Sequence, residues 1–171
     1  MGQKPLIQIR KTLQTDGPFL EKWLLEPGVL KGFPMSNEKE VKDARDIWLE
    51  YAKRGSSITA LYKKEPCGAA NIYIQTAKKL KHQALFVILV GQKYTRQGIG
   101  TLLLNSLERL AKNTFEIESL FLEVYSENPA IHMYEKTGYR TYGKLEKYLK
   151  VPSGKYYDKI LMEKSLTNER K

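Results

Sequence analysis

The stretch that most constrains this chain runs from Leu85 to Ala111, Leu-Phe-Val-Ile-Leu-Val-Gly-Gln-Lys-Tyr-Thr-Arg-Gln-Gly-Ile-Gly-Thr-Leu-Leu-Leu-Asn-Ser-Leu-Glu-Arg-Leu-Ala. Leu85 to Val90 is an unbroken apolar, β-prone run, the pattern of a strand buried on both faces. Ile99, Leu102, Leu103, Leu107, Leu110 and Ala111 then fall on one stripe of a helix. Between them lies Arg96-Gln97-Gly98-Ile99-Gly100-Thr101. A helix that opens on two glycines presents unpaired backbone N–H groups at the positive end of its dipole, a ready cradle for a phosphate or pyrophosphate. By itself the turn is a weak signal. It lacks the third glycine of a dinucleotide fingerprint and the Gly-Lys-Ser/Thr ending of a P-loop, and a plain tight strand-to-helix turn also explains it.

The rest of the chain supplies the context. Leu6 to Arg10 reads as a first strand. Thr15-Asp16-Gly17-Pro18 is a turn able to cap a helix over Phe19 to Glu26, which Pro27-Gly28 should end. Ser36, with Lys39-Glu40 behind it, starts a second helix whose apolar face is Val41, Ala44, Trp48 and Tyr51 and whose end is Arg54-Gly55. This early helix pair is placed to form a lid or one wall of a pocket. Ser57 to Tyr62, Gly68 to Thr76 and Ala84 to Val90 predict an antiparallel meander. Leu120 to Tyr125 should lie parallel to the last of these through a right-handed helical crossover. Asn128-Pro129-Ala130 opens a short helix through Lys136, and two strands follow, Tyr139 to Tyr148 and Tyr156 to Leu166, around Pro152-Ser153-Gly154. The last residues, 167–171, are expected to fray. The prediction is one α+β domain over residues 1–171, with a mixed sheet of about seven strands and about four helices.

Composition narrows the function classes. At 171 residues the chain is long enough for one real core and short for two. No apolar run approaches the ~20 residues of a membrane helix, and the N-terminus lacks the apolar core of a secretory signal. Leu6 stands where a myristoylation signal wants Ser or Thr. The single cysteine, Cys67, forbids an intrachain disulfide and fits a cytoplasmic location. With only two histidines, at unrelated positions, no metal site is expected. The net charge of +10 suits an anionic partner such as nucleic acid, a ribosome or a polyphosphate cofactor, and equally a lysine-rich coat.

The order strand, Arg-Gln-Gly-Ile-Gly-Thr helix, Leu-Glu-Val strand, then Asn-Pro-Ala-Ile-His-Met-Tyr-Glu-Lys-Thr-Gly-Tyr resembles the GCN5-related N-acetyltransferase (GNAT) family. The match is good over residues 85–139, and the flanking element order agrees. Within the family it is similar to ribosomal-protein-alanine and other small-amine acetyltransferases. The resemblance implies that the strand before the glycine turn splays from its parallel neighbour and that acetyl-CoA lies in the gap. It implies that Leu89 and Val90 offer backbone groups to the pantetheine arm. The N–H groups of Arg96, Gln97, Gly98, Ile99, Gly100 and Thr101 would hold the pyrophosphate, with Asn128 a further contact. Two departures stand out. Thr95 occupies the family's usual Gln or Arg position, and Asn128 and Tyr134 are six residues apart where the family usually has seven.

Acetyl transfer to an amine needs a neutral nucleophile, a stabilised oxyanion and a protonated leaving thiolate. The resemblance implies that Tyr134 is the general acid for the CoA sulfur and Glu123 the base; core packing and an outward-facing strand position are the alternatives. Glu127 and Asn71 are further candidates for handling the amine's proton. Tyr148, Tyr156 and Tyr157 flank the last turn, where relatives form part of the acceptor site. Cys67 and His132 read as structural and exposed, respectively. The expected enzyme acetylates a protein N-terminus, polyamine, amino acid or aminoglycoside, through a tetrahedral intermediate. The competing reading is a non-catalytic module that senses CoA or docks on RNA. Monomer and homodimer are both open.

Overall fold

The computed structural model describes residues 6–167, so the frayed tail expected from 167 lies, past its first residue, outside the described residues. The strands are β1 (Ile7–Lys11), β2 (Ser57–Tyr62), β3 (Glu65–Tyr73), β4 (Gln83–Val90), β5 (Ser119–Tyr125), β6 (Arg140–Lys150) and β7 (Tyr156–Ser165). The α-helices are α1 (Gly17–Leu25), α2 (Pro27–Leu30), α3 (Glu38–Lys53), α4 (Ile99–Phe115) and α5 (Ala130–Lys136). That is five α-helices where about four were expected. Pro27-Gly28 does not stop the chain's helical course. Its proline sits at the start of a short new helix, where the missing N–H costs nothing.

The seven strands form one sheet in the order β1-β2-β3-β4-β5-β7-β6. β4 and β5 are parallel, joined by the α4 crossover, and the other five pairings are antiparallel. Side-chain alternation sorts the core into two layers. On one face Leu103, Leu104 and Leu107 of α4 pack with Ile72, Phe86, Leu120, Leu122 and Met162. On the other, Leu20, Trp23 and Leu24 of α1 and Val41 and Trp48 of α3 cover Ala69 and Leu89. Each such fully buried Leu or Ile is worth about 1.5–3 kcal/mol, so each helix is held by its stripe.

A buried polar network pins the α1–α3 layer to the sheet edge. Asp16, within the turn expected to cap the first helix, makes no side-chain cap for α1. Its carboxylate instead accepts both Arg10 guanidinium nitrogens (2.7 and 2.8 Å), the Leu13 N–H and the Thr59 hydroxyl. Thr12 links Thr59 to Ser57, and Ser57 accepts the Trp48 indole N–H at 2.8 Å. The N-cap of α3 is Asn37, which accepts the Glu40 N–H, while Glu40 reaches back to Ser36.

The central feature is a split in the sheet. β4 and β5 pair only over Gln83↔Ser119, Ala84↔Leu120 and Leu85↔Phe121. Beyond Leu85, β4 continues along β3 as far as Gly68↔Val90, and β5 continues along β7 as far as Tyr125↔Lys159. Each strand is held on its outer side to its end and unpaired on the side facing the other. Those inner edges carry backbone donors and acceptors with no strand partner.

Candidate active site

The glycine turn stands at the mouth of this gap. A single 3-10 turn (Gln92–Tyr94) leads from β4 to it. Arg96 (φ 60°) and Gly98 (φ 81°) both adopt left-handed backbone, which turns successive N–H groups to one side. Gly98 is the N-cap of the 17-residue α4 and supplies no side-chain cap. The first N–H groups of α4, those of Ile99, Gly100 and Thr101, therefore have no cap to satisfy them. A Cβ placed on Gly98 would meet nothing within 4 Å, so the space beside it is open. A Cβ on Gly100 would lie 3.1 Å from the Met133 sulfur, which shows how closely α5 abuts the start of α4. Uncapped donors at the positive end of a long helix, beside open space, fit the pyrophosphate of acetyl-CoA.

Thr95 faces away from this cradle, donating its hydroxyl to the Gln92 carbonyl at 2.9 Å. Arg96 is exposed, so its guanidinium is available at the rim. Along β4, strand alternation separates the two residues expected to serve the pantetheine arm. Gly91 donates its N–H to the Cys67 carbonyl on β3, so the residues two and four before it, Leu89 and Val87, also turn their backbone groups toward β3. Ile88 and Val90 turn theirs toward the gap. Leu89 thus spends its backbone groups on β3 and contributes a buried side chain, while the groups of Ile88 and Val90 face the gap.

The α1–α2 corner is clamped to the loop after β4. Gln92 donates its N–H to Glu26 at 2.6 Å and accepts the Gly28 N–H at 3.1 Å. Gly91 lets this happen, since a Cβ there would lie 2.8 Å from the Trp23 ring. Asn128 caps α5, accepting the Ala130 N–H at 3.0 Å, and its amide nitrogen abuts Gly32 beyond α2. The expected early wall is therefore in contact with both sides of the gap.

Tyr134 and Glu123 belong to opposite faces of the sheet. Tyr134 belongs to the α4 layer, 7% exposed, edge-on to Phe86 (6.0 Å between centroids) and to Tyr139 (5.9 Å). Burial raises its phenol well above the ordinary tyrosine range. It is therefore a fully protonated donor at neutral pH. Glu123 alternates with Leu122 and Val124, which are buried in the α4 layer, so it projects from the α1–α3 side. It lies two residues past the last β4–β5 pair. Its Oε2 is 2.5 Å from the Lys159 ammonium, and that ammonium sits 3.8 Å from the Tyr148 ring centroid. Burial pushes the Lys159 pKa down, but bonds to Glu123 and Tyr148 raise it overall, so Lys159 stays charged.

Lys159 escaped the sequence reading, because a lone lysine in a strand of alternating character carries no motif. Only its register opposite Tyr125 reveals it. The remaining candidates are placed as follows. Glu127 pairs with Lys155 at 2.8 Å. Asn71 is fully buried on β3, its oxygen 3.5 Å from the Ser56 hydroxyl and its amide nitrogen without a partner. Tyr156 and Tyr157 lie under Lys150 and Lys155. Cys67 is buried, and its thiol is pushed up to about 11 by burial, which makes it inert. His132 is exposed beside Glu135. Among the described residues, no group of His, Cys, Asp and Glu is arranged to hold a metal, and no helix is long and apolar enough to cross a membrane.

Comparison with known proteins agrees with this geometry. Over 62 residues the chain is 39% identical to an N-alpha-acetyltransferase of Sulfurisphaera tokodaii, a stretch covering 36% of this chain and 37% of that relative. The ribosomal-protein-alanine N-acetyltransferase of Brucella melitensis superposes with a TM-score of 0.78 at 22% identity, covering 92% of this chain and 99% of that one. A Salmonella typhimurium structure solved with its cofactor acetyl-CoA superposes with a TM-score of 0.80 at 15% identity, over 95% of each chain. A model of the acetyltransferase (GNAT) family matches residues 19–139, and with the split sheet and the uncapped glycine turn this establishes that the chain belongs to that family.

Proposed function

We propose that the protein is an acetyl-CoA-dependent N-acetyltransferase acting on a primary amine. The observation that carries this reading is the juxtaposition of an unpaired β4–β5 gap with the uncapped turn at Gly98–Thr101. The turn takes the pyrophosphate, and Ile88 and Val90 bond the pantetheine arm as a third strand would, which places the thioester between Glu123 and Tyr134. The acceptor enters from the α1–α3 face, past Glu123. Its nitrogen attacks the thioester carbonyl and loses a proton toward Glu123, directly or through water. As the carbon–sulfur bond breaks, Tyr134 donates its proton to the departing sulfur, and solvent reprotonates the phenol. The products are an N-acetylated amine and free CoA. Asn128, whose oxygen accepts the Ala130 N–H, holds the head of α5 beside the cofactor.

The test is release of CoA thiol from acetyl-CoA in the presence of a panel of amino acids, polyamines, aminoglycosides and peptides with free N-termini. Amine-dependent release supports the reading. CoA binding by calorimetry with no amine-dependent release across the panel would overturn it and leave a CoA-sensing module.

A further inference from the structure

The acceptor side of the gap carries a feature that a site for simple amines does not require. Lys159 is only 9% exposed, yet it is a full cation beside the proposed base. Its partners are one carboxylate, Glu123 at 2.5 Å, and one aromatic face, Tyr148 at 3.8 Å. The neighbouring Tyr125, opposite it in register, is also buried. A nearly buried cation must keep a counter-charge, because removing its one partner leaves an uncompensated charge out of water. An acceptor that approached Glu123 with a lone ammonium would draw the carboxylate away from Lys159. A polyamine would worsen this by adding further positive charge beside a lysine, in a protein already at +10.

We infer that Lys159 is an anion anchor and that the acceptor is a zwitterion, a free α-amino acid whose ammonium pairs with Glu123 while its carboxylate pairs with Lys159. An α-amino acid carries the two charges one carbon apart. It can replace the internal ion pair with two intermolecular ones and leave no charge unpaired. Tyr148 and Tyr125 then line the opening through which the side chain extends. The same arrangement repels polyamines and disfavours peptide N-termini, whose first carboxyl group is an uncharged amide that gives Lys159 no counter-charge. This inference rests on the acetyltransferase reading above and narrows its acceptor.

The experiment uses matched acceptor sets: an L-amino acid, its amide and its decarboxylated amine, for example leucine, leucinamide and 3-methylbutylamine, and tyrosine, tyrosinamide and tyramine. Spermidine and a short peptide complete the panel. With the unmodified protein, kcat/KM for the better amino acids should exceed that of the matched amide and amine by ~10–100-fold, the size of a charge-assisted contact. The difference should lie mainly in KM. In Lys159→Met the preference should collapse to within about threefold, and Lys159→Arg should restore part of it, with circular dichroism confirming the fold of each. Equal use of acid, amide and amine by the unmodified protein would overturn the inference even if no variant folds. So would turnover of spermidine or the peptide with none of any amino acid, or a preference that survives Lys159→Met. Absence of turnover with every acceptor would instead refute the acetyltransferase reading itself.

Discussion

Tyr134→Phe separates catalysis from packing, because the proposed proton donor is the hydroxyl and the packing surface is the ring. The ring packs against Phe86 and Tyr139 at centroid distances of 6.0 and 5.9 Å, and phenylalanine keeps those contacts. Removing one oxygen from a side chain in this aromatic cluster leaves its ring contacts in place. Stability should change by no more than about 1 kcal/mol, a few degrees in Tm for a domain of this size. Loss of a general acid slows chemistry by ~10²–10⁴, or about 2.7–5.5 kcal/mol in the barrier. The loss should fall on kcat, with the Kd for acetyl-CoA nearly unaltered, since the contact matters only as charge builds on sulfur. Burial raises the phenol's pKa, so deprotonation of Tyr134 should not limit the rate anywhere in the neutral range. Stopped-flow or single-turnover thiol release, with calorimetry for binding, makes the measurement. A kcat within about threefold of the unmodified protein, or a large fall in Tm, would make the phenol a packing residue.

Gly98→Val should weaken acetyl-CoA binding at least ~10-fold by calorimetry, since it forces left-handed backbone on a branched residue and puts methyl groups in the open cradle. Gly154→Val, at a similar φ of 86° on the β6–β7 turn, shares the strain without touching the cradle and should leave affinity unchanged. Glu123→Gln should slow turnover most at low pH, where the amine most needs help losing its proton; a pH–rate profile parallel to the unmodified protein's would exclude Glu123 as the base. Asp16→Asn should cost about 2–4 kcal/mol in urea unfolding by breaking the paired, nearly buried carboxylate. Burial alone would raise the Asp16 pKa, but Arg10, the Leu13 N–H and Thr59 hold it below the ordinary value. Its contribution is therefore complete above the unfolded carboxyl pKa near ~4 and lost as pH falls through the lower folded value, so acid unfolding of Asp16→Asn should be shallower in that range.

The order of elements was legible because it is written in local patterns. The apolar run to Val90, the stripe from Ile99 to Ala111 and Pro129 at the head of α5 each specify their element without outside help. The split between β4 and β5 entered only through the resemblance, because no residue of Leu85–Val90 signals that hydrogen bonding on one side stops at Leu85. That end point is set by distant tethers, β4 to β3 and β5 to β7. The edge that the Leu89 backbone faces was illegible for a related reason: identity does not reveal it, and parity with Gly91 does. The turn Thr15-Asp16-Gly17-Pro18 reads as able to cap a helix, but Asp16 does not serve that end. Arg10, six residues earlier, and Thr59, across the sheet, outbid the helix N-terminus for its carboxylate. Lys159 was illegible outright, since its importance lies in a register and a burial that no neighbour in sequence announces.

The split also accounts for a proposed acid and base that stand on opposite faces. Side chains of adjacent residues on β5 alternate between the layers, so Glu123 leaves the sheet on the side opposite Leu122 and Val124. In a continuous sheet a group on one face would be screened from the other by the hydrogen-bonded strands between them. Where β4 and β5 part, that barrier is absent, and a thioester threaded through the opening meets both layers at once. The α4–α5 layer is dry and aromatic around Phe86, Tyr134 and Tyr139, which keeps a phenol protonated. The opposite side past β5 is polar and open, with Glu123 43% exposed at its side chain, which suits an incoming charged amine. On the proposed mechanism, a single geometric event, the end of pairing after Leu85, would supply a slot for the cofactor, an entrance for the acceptor and two environments of different polarity for the two proton transfers.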